Sequence, residues 1–178
     1  MRTRLLLAVT AAALIAGCNK PPTEQNNAAV AAKAKAVLGP AIAADQAKTL
    51  MHERHEGMED IGDDFKLVNR ELKGASPDVA AIRTAAAAIA DGAAKSSGWF
   101  PPGTGPDVGK TRAKAEIWQK PEDFAAKDKT FQEAAVAFKA AADSGDLNAI
   151  RTQAGELGKA CKACHDPYRA PEGDHGHD

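Results

Sequence analysis

Apolar residues recur along this chain at steps of three and four, the period of one helix face. Arg54, Met58, Ile61, Phe65, Val68 and Leu72 step by 4, 3, 4, 3 and 4, and Gly74 supplies a stop. Ser76-Pro77-Asp78 then offers a cap, a first-turn proline and a first-turn acid. Val79, Ile82, Ala86, Ile89 and Ala93 continue the pattern. A third stretch starts near Pro121 and places Phe124, Phe131, Ala135, Phe138 and Ala142 on one face, with Gly145 at its end. A fourth starts at Asp146 and carries Leu147, Ile150, Ala154, Leu157, Cys161, Cys164 and Tyr168, ending before Pro171. Four amphipathic helices must bury their faces against one another. The short links after the first and third favour antiparallel neighbours. The predicted fold is all-α, an antiparallel four-helix bundle over residues 41–170. Its long link, residues 96–120, is rich in Gly and Pro and holds Trp99, Phe100 and Trp118.

Composition agrees with helices. The chain has 178 residues, 44% hydrophobic and only 4% aromatic, with 40 alanines. An all-β fold would want more β-branched and aromatic residues. The net charge is −1, and removal of residues 1–17 takes Arg2 and Arg4 but no acid, leaving −3. A mildly acidic domain without a Lys/Arg cluster does not fit nucleic acid. No nucleophile–base arrangement or phosphate loop is legible, so the reading is not an enzyme.

The N-terminus reads as an address. Arg2 and Arg4 precede an apolar run at residues 5–16, too short to span a bilayer. It ends Leu14-Ile15-Ala16-Gly17-Cys18, which resembles the bacterial lipoprotein signal. That resemblance implies cleavage after residue 17, acylation of Cys18 and a lipid-anchored protein on the periplasmic side of the cell envelope. Residues 18–40 are expected to be a lipidated flexible tether, with a frayed helix near 28–37. Residues 171–178 are expected to be a disordered tail.

Cys161-Lys162-Ala163-Cys164-His165 is C-x-x-C-H, the haem c attachment motif. Two thiols one helical turn apart can add across the two haem vinyl groups, and the adjacent histidine can reach the iron. A dithiol redox pair is the first alternative, but such pairs use a helix N-terminus to stabilise the thiolate, whereas this one lies in the last turns of a helix. Structural zinc is the second, but His175 and His177 do not have the usual spacing.

With this motif near the C-terminus of a four-helix bundle, the chain resembles the cytochrome c′ family, the class II c-type cytochromes. Further anchors are Arg54-x-x-x-Met58, Gly98-Trp99-Phe100-Pro101 with Gly103-Thr104, the run Thr111-Arg112-Ala113-Lys114-Ala115-Glu116-Ile117-Trp118, and Tyr168-Arg169 after the histidine. The resemblance implies one covalently attached haem c on Cys161 and Cys164, with His165 as the axial iron ligand. It implies that Arg169 is the basic residue beside that histidine, that Arg54 lies near the haem propionates, and that Met58 faces the other side of the iron. Members often dimerise through the first two helices, which implies a homodimer.

Met58 divides the function. In low-spin members a methionine sulfur binds the iron, and such His/Met ligation raises the potential and suits single-electron transfer with a periplasmic or membrane redox partner. In five-coordinate members an apolar residue crowds an open face that takes nitric oxide or carbon monoxide. The run Met58-Glu59-Asp60-Ile61-Gly62 reads more like the methionine-ligated members, so the expected function is an electron-carrying monohaem cytochrome, with gas binding as the alternative. Two weaker features stand on the first helix. His52 and His55, one turn apart, have a spacing that can bind metal and also suits a solvated polar face. Seven acids outnumber four Lys/Arg between positions 53 and 73, a face that could steer a basic redox partner.

Overall fold

A computed structural model describes residues 22–171. Its helices are α1 (Pro22–Leu38), α2 (Ala44–Lys73), α3 (Val79–Ser96), the single turn α4 (Glu116–Gln119), α5 (Pro121–Ser144) and α6 (Leu147–Tyr168). The long helices α2, α3, α5 and α6 form the antiparallel four-helix bundle that the periodicity predicts. Their apolar faces meet in one core. Ile61 and Val68 of α2, Ile82 and Ile89 of α3, Phe131 and Phe138 of α5, and Ile150 and Leu157 of α6 are all buried. The packing runs α2–α3–α5–α6, whereas α2 and α6 barely touch.

The helix ends follow from local chemistry, with one shift from the sequence reading. Asp78, not Ser76, caps α3, because its carboxylate accepts the backbone N–H of Ala81 at 3.0 Å. Pro77 therefore lies before the helix. Pro121 opens α5 at a position where no backbone N–H is needed. Gly145 ends α5 at φ 76°, the left-handed conformation that glycine adopts without a Cβ clash. Asp146 caps α6 by accepting the N–H of Asn148 at 2.8 Å.

The stretch read as a flexible tether differs more. Residues 22–38 are a continuous helix rather than a frayed one, and α1 packs on α4 and α5. Ala34 is buried there and Lys33 pairs with Glu122 at 2.7 Å. The Ala/Lys pattern is a good helix former as well as a soluble linker, and contact with α5 decides between them. Residues 1–21 and 172–178, with Cys18, His175 and His177, lie outside the described residues. Among the described residues no helix is long and apolar enough to cross a membrane.

Candidate haem site

The last two turns of α6 carry Cys161, Cys164 and His165, all half-buried, with both thiols packed against the core. The long link holds this end of α6 in place. Residues 112–114 lie antiparallel to 168–170: Lys114 N–H donates to Tyr168 O at 2.9 Å and Ala170 N–H to Arg112 O at 2.8 Å. The Arg112 Nε–H also donates to Ala170 O at 3.0 Å. Tyr168 is buried edge-on against Phe124, which stands edge-on to Phe100, and its hydroxyl donates to Asp123. The helix terminus that follows the histidine is thus fixed on its backbone, its ring and its hydroxyl.

The electrostatics select among the readings left open. Burial pushes the Cys161 thiol up, and burial together with the Asp128 carboxylate pushes the Cys164 thiol up to about 12. These are neutral, unreactive thiols, the reverse of a dithiol redox pair. Two half-buried thiols on one helix face fit conversion to thioethers. Burial lowers the His165 pKa, and the positive charges of Arg169 and then Arg112 lower it further. The imidazole is therefore held neutral, the form that can ligate iron.

Arg54 enters from α2 and is only 4% exposed. Its Nη1 donates to Trp99 O at 3.1 Å and to Thr104 Oγ1 at 3.2 Å. Its Nη2 donates to Thr104 O and Thr111 Oγ1, both at 3.0 Å. The guanidinium also stacks 5.0 Å from the Phe100 ring centre. Every one of these partners is neutral, and burial lowers the Arg54 pKa to about 10, so the charge persists at neutral pH. A buried cation satisfied by neutral oxygens fits an acidic group beside it, and the same hydrogen bonds clamp the link to α2. Met58, one turn on, is half-buried against the core.

Sequence reasoning missed several residues of this region. Arg112 stood in a run noted for resemblance, but nothing in its spacing announced that its charge reaches His165. Asp128 of α5 is buried with Ser96 of α3 and Gln132, and its charge reaches Cys164. A single acid on an otherwise apolar helix face was the available signal.

The Cytochrome C' family model matches residues 49–169, more than half of the chain. The chain belongs to the cytochrome c′ family. Cytochrome c′ of Allochromatium vinosum is 36% identical over 120 residues, covering 66% of this chain and 77% of that protein. Cytochrome c′ of Alcaligenes xylosoxydans xylosoxydans is 45% identical over 65 residues, a match spanning about half (51%) of that protein and 36% of this chain. The crystal structure of cytochrome c′ from Thermochromatium tepidum superposes with a TM-score of 0.66 at 32% identity, covering 70% of this chain and 97% of that one. A nitric oxide complex of a variant cytochrome c′ from Alcaligenes xylosoxidans gives a TM-score of 0.64 at 32% identity, with the same coverage. A cytochrome c′ with ligand-controlled dimer dissociation gives 0.65 at 31% identity, again with the same coverage. Membership of the cytochrome c′ family makes the cofactor one covalently attached haem c with its iron.

Proposed function

We propose that this protein is a cytochrome c′ that binds nitric oxide or carbon monoxide at the haem face crowded by Met58. In this reading Cys161 and Cys164 hold the haem covalently and His165 is the single protein ligand of the iron. The haem, when bound, supplies an iron with one coordination position for a diatomic gas. Burial, with the charges of Arg169 and Arg112, favours an unprotonated His165, and the link pairing at residues 112–114 holds the helix end that carries it. Arg54 ties the link to α2 and lies ready for a haem propionate. Met58 contributes bulk and excludes water. The observation that carries the reading is the likeness, over 70% of this chain and 97% of that one, to a solved variant cytochrome c′ in complex with nitric oxide.

This inverts the preference drawn from the run at Met58-Glu59-Asp60-Ile61-Gly62. Electron transfer with Met58 as second ligand is the competing reading, favoured by the thioether one turn from Arg54 on the helix face that turns inward. Optical spectra of the purified holoprotein, oxidised and reduced, with and without carbon monoxide, separate the two. Broad high-spin bands that shift with carbon monoxide support gas binding. Sharp low-spin bands, a weak sulfur-to-iron band and no response sink it and leave an electron carrier.

The same proposal includes residues 1–17 as a cleaved signal, acylated Cys18, a periplasmic location and an unidentified redox partner. Mass spectrometry of the mature chain reads the acyl and haem masses directly. A homodimer through α2 and α3 belongs to it as well, with the dimer of a structurally similar cytochrome c′ in support.

A further inference from the structure

We infer that the outward face of α2 holds a site for a divalent cation of the zinc or copper class, with His55, Glu56 and Glu59 as its core donors and His52 as a fourth. One ligand atom from each of His55, Glu56 and Glu59 lies within 4.8 Å of the other two. His55 Nε2 stands 3.5 Å from Glu59 Oε1, and His52 Nδ1 stands 3.8 Å from Glu56 Oε1. Bonds of about 2.1 Å to a tetrahedral ion place its donor atoms about 3.4 Å apart. Both histidine–glutamate pairs are thus close to the separation that one ion would impose. Positions 52, 55, 56 and 59 repeat the i, i+3, i+4 and i+7 spacing of a single helix face: three donors already converge, and His52, beside Glu56, needs only a rotamer change to join them, with no loop to order.

The donor set fixes the class of ion. Two imidazoles and two carboxylates are borderline ligands. Calcium and magnesium want an all-oxygen shell, and cuprous ion wants sulfur. Zinc and cupric ions match, and copper binds the tighter of the two by the usual order of divalent metals. Glu53, Asp60 and Asp63 on the same helix are exposed and add negative charge that draws a cation in. All four donors are exposed, so the ion binds without dragging ionised groups out of water. The site is separate from the haem chemistry. Arg54 and Met58 occupy the inward face of α2, and the four donors occupy the outward one.

The test uses the full-length holoprotein with His175→Ala and His177→Ala, which removes the imidazoles of the C-terminal tail. Zinc chloride is titrated calorimetrically and copper sulfate by electron paramagnetic resonance. The expected result is one saturable equivalent with a dissociation constant on the order of micromolar. Nitrogen hyperfine structure from the copper should appear alongside it. His55→Ala, with an unchanged haem spectrum and thermal midpoint, should weaken binding at least about tenfold, and His52→Ala with His55→Ala should abolish it. Absence of saturable binding, or affinity that survives the double replacement, would overturn the site.

Discussion

Asp128 is a carboxyl held out of its usual aqueous environment. It is 6% exposed, and burial raises its pKa against the opposing hydrogen bonds from Ser96 and Gln132. The Ser96 hydroxyl has one proton, and it donates to Ala93 O at 2.8 Å while also touching Asp128 Oδ1. A protonated Asp128 resolves that conflict by donating to Ser96, while Gln132 Nε2 donates to its other oxygen at 2.7 Å. The sign of the linkage follows. The folded state holds this proton more tightly than the unfolded chain, whose carboxyl titrates near pH 4, so the contribution to stability is complete below about pH 4 and declines as pH rises through the folded pKa. Asp128→Asn reproduces the protonated pattern at every pH. Its stability relative to the parent, read from urea unfolding between about pH 4 and pH 8, should therefore improve as pH rises from about 4 through the folded pKa and level off above it. A difference that stays flat with pH would mean that the folded state holds this proton no more tightly than the unfolded chain. At Arg54 the expectation is a loss. Arg54→Met leaves the carbonyls of Trp99 and Thr104 short of donors inside the fold, at a cost of about 2–4 kcal/mol in urea unfolding.

Glycines placed within helices make the element scale testable. Gly57 of α2 lies under Trp99 of the link: a Cβ there would stand 2.6 Å from two ring atoms. Gly155 of α6 has nothing within 4 Å of that position. Alanine favours a helix over glycine by about 1 kcal/mol. Gly155→Ala should therefore raise the thermal midpoint of the holoprotein, while Gly57→Ala should lower it, because a displaced buried indole costs about 1–3 kcal/mol. If both raised it, Trp99 would not be seated on α2. Helices of this kind were legible because the apolar step of three and four names both the element and its buried face. Cys161 to His165 was legible because its chemistry is written in five adjacent residues. Asp128 with Ser96, 32 positions apart, was not, and neither was the approach of Arg112 to His165, since only the packing of α3, α5 and the link brings them together. The helicity of α1 was ambiguous for the same reason. Its alanines suit tether and helix alike, and the surface of α5 decides.

For the molecule as a whole, burial is uneven in a way that ties folding to the cofactor. Ile61, Val68, Ile150 and Leu157 are buried, but Met58 and Phe65 of α2 and Cys161, Cys164 and His165 of α6 are only half-buried. These half-buried groups lie on the two helices that barely touch each other. Phe65 meets α6 at Gly158, where a Cβ would stand 3.4 Å from the ring. The apolar area shared by α2 and α6 is therefore small, and apolar burial is worth only about 25 cal/mol per Å². A domain of this size has a total stability of about 5–15 kcal/mol, so an unjoined pair of helices is a large fraction of it. A haem held by Cys161 and Cys164 would lend its own apolar faces to both helices. The chain carrying Cys161→Ala and Cys164→Ala, produced without covalent haem, should keep α3 and α5 packed and loosen α2 against α6. Its circular dichroism should show lowered helicity and a broad, weakly cooperative thermal transition at a midpoint well below that of the holoprotein. A haem-free chain that melts as sharply as the holoprotein would mean that the helices alone close the bundle, and that the cofactor is a passenger in the fold rather than part of its core.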